Sequence, residues 1–221
     1  MVFNFMTLNG YFKGPGGDIS WHSHSKEEEG EFAGEMAQMG GTLLFGRVTY
    51  EMMVAYWPTP AAKKDVPAVA DGMNKSEKIV FSRTLKKADW QNARVVNGDI
   101  VEEVRRLKGV AGGGSAKGDG GKAAGGGSAT GDGGKGAGGG SATGGDGMAA
   151  SDMCILGSGS IVTQLAAAGL IDEYMFMVDP LILGEGTPVC KGMGHALNLK
   201  LKKTRTFKSG TLLLTYEPIA K

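Results

Sequence analysis

The sequence predicts an α/β fold of three layers, a mixed sheet with helices on both faces that ends in a C-terminal antiparallel hairpin. Three observations lead there. Strand-like and helix-like segments alternate along both flanks of the chain, as parallel βαβ units require. The last part changes character: two strand-like runs, 197–207 and 211–216, are separated by Lys208-Ser209-Gly210, which is a hairpin signal. Between the flanks lies a segment with nothing to bury.

Residues 2–7 are aromatic-rich and alternate, which suits a strand. Residues 26–39 open with Glu27, Glu28 and Glu29, acidic residues suited to a helix N-terminus, and Phe32, Met36 and Met39 then recur at helical spacing. Residues 42–45 read as a short buried strand, followed by Gly46 and a helix over about 48–55. Strands are expected at 78–82 and 94–96. A helix is expected at 100–107, where Val101, Val104 and Leu107 form an apolar stripe opposite Glu102, Glu103, Arg105 and Arg106. In the second flank, 153–156 reads as a strand. A helix carrying Ile161, Leu165 and Ala168 follows, with Gly169 as its C-terminal signal. Residues 171–178 are expected as a strand and 184–187 as a turn.

The chain of 221 residues is expected to form a single domain spanning 1–221, interrupted at about 109–150. About half of its 39 Gly fall between Gly109 and Gly147, in a tandem repeat: AGGGSAKGDGGKA, AGGGSATGDGGKG, AGGGSATGGDG. A stacking repeat needs a side chain to bury, and none here exceeds Thr or Lys. Glycine also loses the most backbone entropy on ordering. The segment reads as a flexible insertion or an engineered linker, with an ordered glycine-rich layer left open. As a free coil of about 40 residues its ends would lie roughly 35 Å apart.

A formal net charge of +1 without a basic block gives no footprint for nucleic acid. No apolar run has the length of a membrane span, and the N-terminus lacks the pattern of a secretion signal. Cys154 and Cys190, lacking CxxC spacing, read as reduced core thiols of a cytoplasmic protein. His22 and His24, without a third ligand, read as surface residues, so no metal site is expected.

Chemistry concentrates where strands run into helices. In Ile155-Leu156-Gly157-Ser158-Gly159-Ser160-Ile161 a Gly/Ser turn opens a helix, offering backbone N–H groups and two hydroxyls to an anion; an ordinary capped turn is the alternative. The dinucleotide pattern GxGxxG is not met, because Val162 stands where its third Gly would be. A second such junction places Gly46 and Arg47 ahead of Thr49, with Arg47 available to clamp a phosphate or to stand exposed at the surface. At a third strand end Ser82 and Arg83 leave together. Ligands of open α/β sheets collect at the carboxyl ends of strands, so the three ends together describe a site for an extended polyphosphate.

At these residues the chain resembles the dihydrofolate reductase superfamily, in the branch near the C-terminal reductase domain of the bifunctional riboflavin-biosynthesis deaminase-reductase. The resemblance runs through Thr7-Leu8-Asn9-Gly10-Tyr11, Gly17-Asp18-Ile19-Ser20-Trp21-His22, 45–51, 78–83, 155–164 and 170–186, which is nearly everything outside the repeat. It implies a dihydrofolate reductase-like fold. It also implies that Gly46, Arg47 and Thr49 on one side, and Gly157, Ser158, Gly159, Ser160 and Gln164 on the other, hold the phosphates of NADPH. Ser82 and Arg83 fall where the superfamily grips the 2′-phosphate, which implies NADPH over NADH. The loop from Asn9 to Trp21 matches one that closes over the nicotinamide, with Gly10, Gly14, Gly16 and Gly17 as sources of hinge freedom.

Two departures bear on catalysis. The spacing from Trp21 to the acidic helix is not that of folate reductases, and Asn9 replaces the Asp of the usual Leu-Asp-Gly form. The proton source is therefore open among His22, Glu27, Glu28 and an ordered water. Tyr11, Trp21, Tyr56 and Trp57 are candidates to line a flat heterocycle's pocket, or to act as core and loop anchors. The expected function is NADPH-dependent reduction of a pteridine, pyrimidine or ribosylaminouracil. The alternative is a non-catalytic NADP(H)-binding protein of the same fold, or a loop-insertion variant of such a protein. The partners expected are a small-molecule substrate and a second copy of the chain in a homodimer. The dimer is implied by the resemblance and supported by the apolar Met175-Phe176-Met177 run near an expected sheet edge.

Overall fold

The computed structural model describes residues 1–22, 41–109 and 153–219. The helix expected over 26–39, with Glu27 and Glu28, and the glycine-rich repeat lie outside the described residues. Ten strands are described: β1 (Val2–Thr7), β2 (Tyr11–Lys13), β3 (Thr42–Gly46), β4 (Glu77–Phe81), β5 (Ala93–Val96), β6 (Met153–Leu156), β7 (Tyr174–Asp179), β8 (Thr187–Pro188), β9 (Leu199–Thr206) and β10 (Leu212–Pro218). The described α-helices are α1 (Arg47–Tyr56), α2 (Pro60–Asp65), α3 (Pro67–Lys75), α4 (Ile100–Leu107) and α5 (Gly159–Ala167).

Eight strands form one sheet in the order β5-β4-β3-β6-β1-β7-β10-β9. The first six run parallel, and β10 and β9 close the sheet antiparallel to β7. Because the sheet is covered on both faces, its central strands are near-continuous apolar runs whose alternate residues enter different cores. Leu44, Ile79, Phe81 and Ile155 pack with Val104 of α4 and with Ile161, Val162 and Leu165 of α5. Leu43, Phe45, Val80 and Cys154 pack on the opposite side with Tyr50 of α1, Met73 of α3 and Trp90. No helix among the described residues is long and apolar enough to cross a membrane.

Some expectations are corrected. The strand expected from Ile171 begins at Tyr174, after a turn. The Met175-Phe176-Met177 run is not at an edge: β7 lies between β1 and β10, and Met175 and Met177 are 7% and 2% exposed. That run belongs to the sheet interior. Cys154 is buried as expected, but Cys190 is exposed; both are free thiols. Helices α2 and α3 escaped the periodicity reading because each is short. Both are started by Pro at the first turn, and α2 by the Thr59 hydroxyl accepting from the Ala62 N–H.

The face carrying α1 and α3 also buries a charge. Lys78 of β4 is fully buried, and its Nζ donates to the carbonyls of Asn74 (3.1 Å), Ser76 (2.7 Å) and Gln91 (3.1 Å). It lies 4.5 Å from the centre of the Trp90 ring. Burial pushes its ammonium down to about 8. It ties the end of α3 to the segment leading into β5.

Candidate functional site

Strands β4, β3 and β6 are neighbours, so their carboxyl ends stand in a row: Ser82, then Gly46, then Gly157. At roughly 4.8 Å between strands, the row is about 10 Å long. Gly46 and Gly157 each lead into a helix, and a hydrogen bond joins the two turns. The Gly46 N–H donates to the Ser158 hydroxyl at 3.0 Å. This contact needs an unusual backbone. Gly157 (φ +62°) and Ser158 (φ +55°) are both left-handed, and the second is costly for a residue with a Cβ. A Cβ on Gly157 would lie 3.5 Å from Thr49 Cγ2, so the turn packs directly on α1.

The turn leaves helix termini open. Thr59 and Asp99 cap α2 and α4 with their side chains, whereas no side chain caps α1, α3 or α5. The termini of α1 and α5 sit on this row, where first-turn N–H groups and the helix dipole suit an anion. Ser160 and Gln164 are exposed on α5, with Gln164 Nε2 donating to the Ser160 carbonyl at 3.0 Å. Arg47 is tied back along its own helix, with both Glu51 oxygens accepting from it at 2.8 and 2.9 Å. Ser82 accepts from the N–H groups of Thr84 (3.2 Å) and Leu85 (2.9 Å), and this turn projects the exposed Arg83.

A cavity of about 340 Å³ opens next to the row, on the α1 and α3 face. Phe3, Phe5, Leu43 and Cys154 form its sheet wall, and Val48, Thr49, Met52 and Met53 of α1 and Val69 and Met73 of α3 face them. Phe12, Lys13, Gly17, Ile19, Trp21 and His22 close it from the loop side, and Gly157 and Ser158 connect it to the row. Burial pushes the Cys154 thiol up to about 12, which leaves it unreactive. The β1–β6 ladder stops at Phe3–Leu156, while β1 continues against β7 as far as Thr7–Asp179. The sheet therefore parts beside Gly157.

His22 is not the surface residue expected of it. Its side chain is 14% exposed, and its ring lies 3.5 Å from that of Phe5. Its Nδ1 is 2.7 Å from Oδ2 of the buried Asp179, whose Oδ1 accepts from the Thr211 hydroxyl at 3.1 Å. Trp21 also reaches the cavity, its indole N–H donating to the Asp18 carbonyl at 3.1 Å. Tyr56 and Tyr11 are not among the lining side chains. Tyr56 is exposed with its hydroxyl 3.4 Å from Asp65, and Tyr11 belongs to the small β2–β8 sheet.

Asn9 acts as a clamp. Its amide nitrogen donates to the Leu183 carbonyl at 2.7 Å, and its oxygen accepts from the Leu183 N–H at 3.2 Å and from the Thr7 hydroxyl at 2.8 Å. An aspartate has no donor for that carbonyl. Gly10, at φ +86°, turns the chain into β2. The sequence reading missed Asp179 and Thr211, and the signal available was a carboxylate ending an otherwise apolar strand. Among the described residues, no cluster of three or more His, Cys, Asp or Glu side chains is arranged to hold a metal.

A family model described as the RibD C-terminal domain matches residues 1–111 and 147–213. The uncharacterized protein YyaP of Bacillus subtilis (strain 168) is 27% identical over 214 residues, covering 96% of this chain and 90% of that protein. A crystal structure from Shewanella sp. PV-4, provisionally described as a riboflavin biosynthesis protein, superposes with a TM-score of 0.63 at 17% identity, over 99% of this chain and 98% of that one. A pyrimidine reductase-like protein from Corynebacterium diphtheriae gives 0.55 at 9% identity, over 100% of this chain and 91% of that one. The diaminohydroxyphosphoribosylaminopyrimidine deaminase/5-amino-6-(5-phosphoribosylamino)uracil reductase of Thermotoga maritima gives 0.56 at 13% identity, with this chain 99% covered and that one 56%. Sheet order, glycine turns and family match agree: the chain belongs to the RibD C-terminal domain family, a riboflavin-pathway reductase-like family with the dihydrofolate reductase-like fold.

Proposed function

We propose that this protein is an NADPH-dependent reductase of a small heterocycle, with the dinucleotide lying along the ends of β4, β3 and β6 and the substrate in the adjoining cavity. The observation that carries this reading is the bond from the Gly46 N–H to the Ser158 hydroxyl, which locks two side-chain-uncapped helix termini into one anion-binding row beside an apolar cavity. The row fits a diphosphate. Its glycines allow close backbone approach, and Arg83 stands at the end where a 2′-phosphate would distinguish NADPH from NADH.

When bound, NADPH supplies a hydride. The chain supplies position, dryness and a proton. Phe5, Ile19 and Trp21 exclude water from the cavity, and the parting of β1 and β6 beside Gly157 joins it to the row. Asp179 holds His22 through Nδ1, so that Nε2 is the atom that carries the proton to be delivered.

Parallel titrations with NADPH and NADH, read by nicotinamide fluorescence and thermal shift, test this. The reading expects tight NADPH binding with a clear preference over NADH. Arg83→Gln is expected to weaken NADPH about tenfold and to leave NADH within twofold. Failure of both dinucleotides to bind would overturn the reductase reading.

A further inference from the structure

Asn4 lines the cavity at 2% exposure, and among the described residues neither atom of its amide has a hydrogen-bond partner. Buried amides are almost always paired, because an apolar interior does not replace the hydrogen bonds that water gives them. Other polar side chains of the same wall are engaged within the protein. Ser76 donates to the Gly72 carbonyl at 2.9 Å, the Ser158 hydroxyl accepts from Gly46, and His22 is set against Asp179. The Asn4 amide is desolvated and unspent.

Its place in the sheet says what reaches it. Side chains alternate along β1, so Asn4 falls on the face of Val2 and Met6, opposite the cavity-wall rings of Phe3 and Phe5. It lines the cavity all the same, because the sheet opens at this residue. Strand β6 pairs with β1 only as far as Phe3–Leu156, where the Gly157 N–H donates to the Phe3 carbonyl at 3.2 Å. Past that pair Asn4 is flanked on its other side by Phe176 of β7. Phe12 marks the same opening from the loop side. It lines the cavity, packs on the core of the α5 face, and would lie 3.0 Å from a Cβ on Gly159. Asn4 therefore stands where the row of strand ends passes into the cavity, beside Gly157 and Ser158.

We propose that Asn4 is a cofactor-contacting residue, which holds the carboxamide of the nicotinamide by accepting from its NH₂ and donating to its carbonyl. This rests on the reductase reading. A dinucleotide with its phosphates on the row has to pass its ring through this opening to meet a substrate in the cavity. A carboxamide presents one donor and one acceptor side by side, and the Asn4 amide presents the complementary pair. Both groups are neutral, so the pairing satisfies a buried donor and acceptor without burying a charge. Two bonds from one planar group also fix the rotation of the carboxamide. They thereby set which face of the ring is turned to the substrate, the orientation that hydride transfer needs. The fold has already desolvated the amide, so these bonds are gained on binding alone.

Isothermal titration calorimetry of the full chain with three dinucleotides tests this. They are NADPH, 2′-phospho-ADP-ribose, which ends before the nicotinamide, and the reduced 3-acetylpyridine analogue of NADPH, in which a methyl replaces the carboxamide nitrogen. Asn4→Leu keeps the shape of the side chain and should fold at least as stably as the wild type. It is expected to bind NADPH about tenfold or more weakly, and the ribose-ended compound within about twofold of wild type. The wild type should prefer NADPH to the acetylpyridine analogue about fivefold or more, and Asn4→Leu should bind the two within about twofold of each other. Unchanged NADPH affinity in Asn4→Leu overturns the proposal. An equal loss of NADPH and the ribose-ended compound does so too, since Asn4 would then be shaping the row and not touching the ring. If the wild type binds the ribose-ended compound as tightly as NADPH, the proposal falls and the dinucleotide row stands. If it binds none of the three, the reductase reading falls and takes the proposal with it.

Discussion

His22 Nδ1 and Asp179 Oδ2 lie 2.7 Å apart, although 157 residues of sequence separate them. The carboxylate is 5% exposed and accepts a second hydrogen bond from Thr211, so it is fixed before any ligand arrives. Such a partner sets the tautomer and tilt of an imidazole and makes its other nitrogen the exchanging one. His22→Gln is expected to lower turnover by about 10²-fold or more while NADPH affinity stays within twofold. Asp179→Asn should lower turnover in the same direction and leave NADPH affinity alone. Steady-state rates beside nicotinamide fluorescence decide it, and unchanged turnover in His22→Gln would move the proton source to another group.

The bond from the Gly46 N–H to the Ser158 hydroxyl gives a second prediction, in which two substitutions separate two effects. Ser158→Ala loses the acceptor and keeps the left-handed backbone, and should cost about 1 kcal/mol of stability. Ser158→Gly loses the same acceptor but relieves the strain at φ +55°, so it should be about 1 kcal/mol more stable than the Ala variant. Both should weaken NADPH several-fold, because the two turns are no longer pinned together. Urea unfolding and NADPH titration of the pair check this; equal stability of the two variants would mean that Ser158 pays no backbone cost.

The glycine turns were legible in the sequence because their chemistry is local: a buried strand, a residue that tolerates positive φ, and a helix start, all within seven residues. The alternating strands β1, β3, β4 and β6 were legible for the same reason. The His22–Asp179 pair was not, since neither residue carries a mark of its partner, and His22 beside His24 looks like surface. The place of β7 between β1 and β10 was also hidden, because an apolar run reads alike in a sheet's interior and at an edge awaiting a second copy. The departure at Asn9 was visible, but its reason was not. Only the fold brings Leu183 within reach of the amide, across 174 residues.

Asn4 sits in the middle of β1 at 2% exposure, on the cavity wall, and among the described residues neither its amide nitrogen nor its amide oxygen has a hydrogen-bond partner. A buried amide with both ends unpaired costs the fold its desolvation, so an apolar residue of the same shape should relieve it. Asn4→Leu is expected to raise stability by about 1–2 kcal/mol in urea unfolding. A loss of stability instead would show that the amide is satisfied in solution by water.

Lys78 offers the pH prediction. Its three carbonyl acceptors close the end of α3, and Lys78→Met leaves them without that donor, at a cost of about 1–3 kcal/mol. Burial holds the folded ammonium at about 8, below the ordinary lysine value of 10.5. Between those values the unfolded chain binds the proton more fully than the folded one, so this group makes stability rise with pH across that window. The buried Cys154 and Tyr174, both pushed up to about 12, act the other way above pH 9, but they do so equally in both proteins and cancel in the difference. Urea unfolding at pH 7.5 and 9.5 should therefore show the wild type gaining on the order of 1 kcal/mol over Lys78→Met between the two conditions. A constant difference would mean that the carbonyls and the Trp90 face offset the burial of the charge completely, leaving Lys78 an ordinary ammonium inside the fold.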